Sequence, residues 1–301
     1  MKKMVKIIVA VSVCAVFVAI VILGGLMIAA YGVADNKKYL DGIAFAEGDG
    51  LKIMSYNIRY VHGESKPERN WSQRRAYVMQ QIKEEAPDIL CLQEVKAMQM
   101  GFVVKNLEDH YGCVYEYRSD DYLTKEAVPI FYNKERFTLV ESDNFWLSET
   151  PEKESVGWDA ALERICTYAR LKDNRTGKEL AVYSVHFDHV GIEAMKNGSA
   201  MVLARMANDG IPAVMLGDYN IVEHSELYDY IAARLVDSKY AAAHSMHSVT
   251  YNDYGGDEAE VIDYIMHNGG FEVDSYRVRN ELFDGKYASD HFPVITEVRY
   301  R

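Results

Sequence analysis

Ala213-Val-Met-Leu-Gly-Asp-Tyr-Asn220 is an uninterrupted apolar run that stops on Gly217 and delivers a carboxylate, Asp218, and an amide, Asn220. Five residues of this kind read as a buried strand, and a charge set at the end of a buried strand is costly unless something pairs with it or a metal binds it. The pattern recurs along the chain. Asn57 closes Ile53-Met-Ser-Tyr56, and Glu94 closes Ile89-Leu-Cys-Leu-Gln93. His186 and Asp188 stand two apart at the end of Val182-Tyr-Ser-Val185, where the period-2 geometry of a strand turns both to one face. Asp263 interrupts Val261-Ile262 and Tyr264-Ile265, and Asp290-His291 precedes Phe292-Pro-Val-Ile295. Taken singly each has a structural explanation, such as a turn, a helix cap or a satisfied core histidine. Together they are one oxygen-rich set with histidines and no cysteine, and they call for a common site.

Working outward, Leu51–Asn57 reads as a strand, and Asn70 or Ser72 caps a helix to about Glu85. A strand over 88–93 and a helix over 97–107 follow. Strands then succeed one another: 114–117, 128–132, 137–147, 165–171 and 180–187, with a hairpin turn at Asn174–Gly177 before the last. A helix over 192–207, the strand 213–216, a helix near 226–235 and strands near 261–267, 271–278 and 293–298 complete the chain. Strands and helices mixed without strict alternation predict an α+β fold rather than a doubly wound sheet. Two packed sheets with helices outside satisfy the order.

The N-terminus divides from the rest. Lys2, Lys3 and Lys6 precede an uncharged apolar run over 7–31, long enough to cross a hydrocarbon core. The expected organisation is a cytoplasmic segment 1–6, a transmembrane anchor 7–31, a polar tether 32–50 and a catalytic domain 51–301, single-pass in the cell membrane with the domain outside. Small residues at Gly32 and Ala34 also allow cleavage as a signal peptide. The chain holds 33 Lys and Arg against 45 Asp and Glu, and the three lysines before the span make the remainder more acidic still. Such a balance offers no broad basic face for non-specific polyanion binding. Cys91, Cys113 and Cys166 form no CxxC and announce no disulfide framework.

Carboxylate and amide oxygens suit Mg²⁺, with Mn²⁺ a second choice. No zinc HExxH, P-loop or GxSxG is present. Met54-Ser-Tyr-Asn-Ile-Arg59, Gln93-Glu94, Ser184-Val-His-Phe-Asp-His189, Gly217-Asp-Tyr-Asn220, Ile262-Asp-Tyr-Ile265 and Ser289-Asp-His-Phe-Pro-Val294 occur in the order that resembles the endonuclease/exonuclease/phosphatase superfamily. Phe145-Trp-Leu-Ser-Glu-Thr-Pro151 and Gly157-Trp-Asp-Ala160 further resemble its small bacterial metal-dependent hydrolases. The resemblance implies a four-layer α/β/β/α sandwich with its site where the strand ends of both sheets meet. It implies Glu94 as principal metal ligand, with Asn57 and Asp290 near or through water. Asp218 would activate water, Asn220 hold a phosphate oxygen, His186 stabilise phosphoryl charge, and Asp263 fix His291. Arg164 and Asp188 are candidate substrate contacts. Arg59 stands where the exonuclease III branch carries an aspartate, so that branch is not expected. The expected activity is Mg²⁺-dependent hydrolysis of a phosphate ester, a diester before a monoester, with a nuclease among the options. Phosphoinositide phosphatase or sphingomyelinase/phospholipase C activity and an inactive anchored binding module are the alternatives. Expected partners are the phosphate-ester substrate and the bilayer; no protein partner is inferred.

Overall fold

In the computed structural model, residues 39–301 are described, apart from 62, 63, 65 and 122–124. The apolar run 7–31 lies outside them. Among the described residues no helix is long and apolar enough to cross a membrane.

The strands are β1 (Leu51–Asn57), β2 (Ile89–Gln93), β3 (Val95–Lys96), β4 (Tyr111–Val114), β5 (Glu126–Ala127), β6 (Ile130–Asn133), β7 (Phe137–Trp146), β8 (Ile165–Asp173), β9 (Glu179–His186), β10 (Ala213–Asp218), β11 (Val236–Asp237), β12 (His244–Met246), β13 (Asp263–His267), β14 (Phe271–Val278) and β15 (Val294–Tyr300). The helices are α1 (Trp71–Glu85), α2 (Ala97–Leu107), α3 (Ile192–Asp209), α4 (Glu226–Ala232) and α5 (Ser238–Ala241). One sheet runs β12-β14-β15-β1-β2-β6-β4, and the other β11-β13-β10-β9-β8-β7. Both are mixed: β1 is parallel to β2 but antiparallel to β15, and β10 is parallel to β9 but antiparallel to β13.

Alternation along the central strands puts the sheets face to face. Leu51, Ile53, Ile89, Cys91 and Ile130 of one sheet share a buried core with Ala169, Leu171, Val182, Val214 and Leu216 of the other. The opposite face of the second sheet, through Tyr183, Met215 and Tyr264, packs on Val202 and Met206 of α3 and Ile231 of α4. On the outer side of the first sheet, the Tyr56 hydroxyl donates to Gln81 of α1 at 2.8 Å. Strands and helices therefore layer as expected.

Two differences from the sequence reading have physical causes. Residues 39–50, expected within a tether, lie on the domain. Leu40 is buried, Tyr39 meets Phe102 edge-on at 5.7 Å, and Arg136 and Arg175 hold the carbonyls of Asp49 and Ala46 at 3.0 and 2.9 Å. Tyr39, Leu40 and Phe45 are apolar anchors set among acids and glycines, and the arginines add to them from elsewhere. Around 111–133 the strands shift: β4 ends at Val114, and Glu126 and Ala127 pair with Lys96 and Val95 as a short separate ribbon.

The site end is shaped by one close approach. Gly217 has φ +147, and a Cβ there would lie 1.9 Å from the Val185 carbonyl oxygen on neighbouring β9. No other residue combines that conformation with that contact. Gly217→Ala should cost about 3 kcal/mol or more in urea unfolding. A loss within about 0.5 kcal/mol would show that the strands can separate there.

Candidate active site

Strand direction gathers the polar residues at one end. β1, β2, β9 and β10 finish there, while β13 and β15, antiparallel to their neighbours, begin there. Asp218 faces His186 on β9 and Asp263 on β13 in register. The residues open onto a cavity of about 850 Å³.

At its centre Asn57 Nδ2 donates to Asp218 Oδ2 at 2.9 Å and lies 3.3 Å from Glu94 Oε1. The second Glu94 oxygen accepts the Tyr60 N–H at 2.8 Å. Glu94 has φ 62 and Asn220 φ 52, so each turns in the left-handed region directly beyond a strand end. For glutamate that conformation costs roughly 1–3 kcal/mol and persists only where neighbours fix it, as Asn57 and Tyr60 do here. Asn220 is the more tolerant type. Its N–H donates to Asp218 Oδ1 at 2.9 Å and its side chain to the Phe187 carbonyl at 3.0 Å.

Two imidazoles flank Asp218, with His186 Nε2 3.5 Å and His291 Nε2 3.7 Å from Oδ2. His291 Nδ1 is bonded to Asp263 Oδ2 at 2.8 Å. The Thr250 hydroxyl oxygen accepts the Asp263 N–H, which fixes the strand beneath the pair. Burial opposes charge on His291, but the carboxylates of Asp263 and Asp218 outweigh it and raise its pKa to about 10. Burial pushes Asp218 upward too, yet His186, His291 and the N–H groups of Asn220 and Asn57 hold it below the usual carboxylate range. Burial lifts Asp263.

Asp290 sits 3.2 Å from Arg59 Nη1, and Ser289 Oγ donates to the Asn57 carbonyl at 2.7 Å, joining the entry of β15 to the end of β1. Glu94, Asp290 and the Asn57 amide oxygen are hard donors of the kind Mg²⁺ and Mn²⁺ take, and each carboxylate keeps lone pairs beyond those already used. A second grouping is tighter: ligand atoms of Asp218, Asp263 and His291 lie within 4.8 Å of one another and can also hold a cation. The Asp263–His291 bond occupies Nδ1, leaving Nε2 and Asp218 to face the cavity.

Arg164 is placed at the cavity as expected. Asp188 is not: its carboxylate accepts the N–H groups of Ala161, Val190 and Gly191 and lies 3.3 Å from Arg164 Nε. Asp188 clasps a turn and steadies the arginine instead of reaching into the opening. Burial works against its charge, but those three N–H groups and Arg164 bring its pKa down to about 2. Lys96, Arg118 and Glu126 also line the cavity and were not singled out from the sequence. Glu126 accepts from Arg118 Nη1 at 2.9 Å and lies 3.4 Å from Lys96 Nζ and 3.6 Å from His186 Nδ1. The one available signal was an acid directly before the apolar Ala127-Val-Pro-Ile130.

The profile of the Endonuclease/Exonuclease/phosphatase family matches residues 54–291. An endonuclease/exonuclease/phosphatase family protein of Bacteroides thetaiotaomicron superposes with a TM-score of 0.79 at 30% identity, over 84% of this chain and 95% of that one. A mannosyl-6-phosphatase from the same organism gives 0.77 at 30% identity, over 83% and 100%. A protein of Acanthamoeba polyphaga mimivirus is 24% identical over 81% of this chain and 98% of its own length. Several other curated relatives are spanned over less than half their length. The chain belongs to the endonuclease/exonuclease/phosphatase family, and is a hydrolase of phosphoric esters.

The His291–Asp263 pair predicts a titration. In metal-free protein, a histidine pKa raised to about 10 adds stability that is complete below the unfolded value near 6.5 and lost as pH rises through 10. Imidazole NMR should show His291 protonated through pH 8, and Asp263→Asn should bring its midpoint down. A wild-type midpoint near 6.5 would mean the pair is not charged as drawn.

Proposed function

We propose that the chain hydrolyses a phosphate monoester of a small polar alcohol, with Mg²⁺ or in second place Mn²⁺ held by Glu94, Asp290 and Asn57. The observation that carries this is one cavity in which Glu94, Asp290, Asp218, His186, His291 and several cations converge, with Asn57 directly beneath Glu94 and Asp218. A monoester is preferred to the diester suggested by sequence for two reasons. Similarity to the mannosyl-6-phosphatase runs over the whole of that protein. A monoester dianion also suits a wall bearing Lys96, Arg118 and Arg164 better than a singly charged diester does. A net charge of −12 argues against long nucleic acids.

A bound divalent cation supplies neutralisation of phosphate charge and of the departing oxygen. The chain supplies the rest. Asp218, held ionised by its flanking imidazoles, takes the proton from the attacking water. His291, charged and oriented by Asp263, presents Nε2–H to a phosphoryl oxygen, and His186 stands on the other side of Asp218. Asn220 has one amide hydrogen on Phe187 and turns the other toward the phosphate.

The test is kcat/KM against Mg²⁺ with mannose 6-phosphate, p-nitrophenyl phosphate and bis-p-nitrophenyl phosphate. Asp218→Asn should lose on the order of 10²-fold in kcat with the fold intact. Glu94→Gln should fail at low Mg²⁺ and recover as Mg²⁺ rises, whereas His186→Ala should stay impaired at every concentration. Rescue of the histidine variant alone would reverse the two roles. Preference for the bis ester would restore the diester reading, and activity on phosphoinositides or sphingomyelin the lipid reading. Binding without turnover would leave a binding module.

We also propose that the domain is anchored and exported, supported by the lysine-flanked run over 7–31. Protease added to intact cells should release the domain by cutting between the apolar run and the domain; protection until lysis would sink the orientation.

A further inference from the structure

We infer that the cavity holds a second anion-binding subsite, formed by Arg164 with Arg118 and His189, so that the substrate is a phosphate ester bearing another anionic group. This rests on the phosphoester reading for the group that is cleaved. The Arg164 side chain is 5% exposed, and its Nη1 is buried with no hydrogen-bond partner. Its other nitrogens are committed, Nε toward Asp188 Oδ1 at 3.3 Å and Nη2 to His189 Nδ1 at 3.0 Å. A buried guanidinium N–H left without an acceptor is a cost that an entering anion removes. Asp188 does not serve it: its Oδ2 accepts three backbone N–H groups and its Oδ1 faces Arg164 Nε. Arg118 lines the same wall, and burial together with its charge lowers the pKa of Arg164. Arg118 pairs with Glu126 at 2.9 Å and Arg164 with Asp188, and with Lys96 three cations meet two carboxylates here, an excess that attracts an anion.

The subsite is set apart from the reacting centre by strand order. Arg164 directly precedes β8, His186 ends β9, and Asp218 ends β10. Neighbouring strands lie about 4.8 Å apart, so the backbones of Arg164 and Asp218 are separated by roughly 10 Å. The guanidinium is turned to Asp188 and His189, both beyond the end of β9. The volume of about 850 Å³ spans both positions and lies in the range of sites for whole small molecules, more than a lone phosphate fills. A hexose with phosphates at opposite ends has the reach required.

The experiment compares mannose 6-phosphate with mannose 1,6-bisphosphate, in wild type, Arg164→Met and Arg164→Lys. Wild type should favour the bisphosphate by about tenfold or more in kcat/KM, the effect of one added charge-assisted contact. Arg164→Met should bring that ratio close to one, and Arg164→Lys, with charge but no fork, should fall between. An unchanged ratio in Arg164→Met, with both substrates losing equally, would place Arg164 on the scissile phosphate and overturn the subsite. So would a wild type without preference. If neither sugar is turned over, the sugar-phosphate reading of the cleaved group fails, and calorimetry on metal-free protein decides the subsite separately. Tighter binding of the bisphosphate that Arg164→Met abolishes supports it, and equal binding of both sugars overturns it.

Discussion

Between the ends of the two sheets, the Asn57 side chain donates across the gap to Asp218 at 2.9 Å while also lying 3.3 Å from Glu94. Asn57 ends β1 in one sheet and Asp218 ends β10 in the other, so this amide sets the distance between the proposed metal ligands and the proposed base. The buried His291–Asp263 bond at 2.8 Å ties the same ends of the two sheets at a second point. Apolar packing brings the sheets together but is non-directional, and leaves the separation of their ends soft. A buried, fully engaged amide between two carboxylates is directional, and also moderates their repulsion.

The loops beside this bridge are tied by cations rather than by regular structure. The Arg74 guanidinium, wholly buried on α1, donates to the carbonyls of Ile58 and Ala288 at 2.9 and 2.8 Å and to that of Arg59 at 3.2 Å. It therefore secures the turn after Asn57 and the approach to Asp290 at once. A planar fork with five donors can serve several carbonyls in this way, which a lysine cannot. Arg136 does the same at the opposite end, pairing with Asp88 and Asp173 while holding the Asp49 carbonyl. The helix that looks from sequence like simple cover for the sheet is thus also a frame for the site.

How much of this was legible follows from where each signal lies. Long apolar strands that end on a polar residue, such as Met54–Asn57 and Ala213–Asp218, announce both the element and the chemistry, because burial of the strand makes the terminal charge anomalous. β14, with bulky residues alternating, was readable to its bounds. The ribbon of Val95–Lys96 with Glu126–Ala127 has two residues on each side and no period to detect, so Lys96, Arg118 and Glu126 stayed invisible as a cluster. The segment 39–50 misled because acids and glycines surround its apolar Tyr39, Leu40, Ile43 and Phe45, and because further anchors, Arg136 and Arg175, come from turns far along the chain. Asp188 misled in another way: period-2 spacing from His186 is real, but the chain turns after Phe187, and three backbone N–H groups claim the carboxylate.

The charges around the cavity are arranged by sign, and that arrangement bears on what can enter. Glu94, Asp218, Asp263 and Asp290 lie toward the site ends of β2, β10, β13 and β15, while Lys96, Arg118 and Arg164 lie toward β3 and β8. His186 stands where the two meet, between Asp218 and Glu126. Most of these buried charges have a partner within a few ångströms, as burial demands. The proposed cation would turn the acidic side attractive to phosphate, so that both walls would then draw the same ligand. The molecule as a whole, at −12, repels anions at long range, and the repulsion grows with the number of phosphates a ligand carries beyond the cavity. A compact phosphorylated molecule enclosed by the cavity feels mainly the local cations. A polymer strand must lay most of its phosphates on an acidic surface. On the proposed reading, the same distribution of charge draws small anions to the site and disfavours long ones.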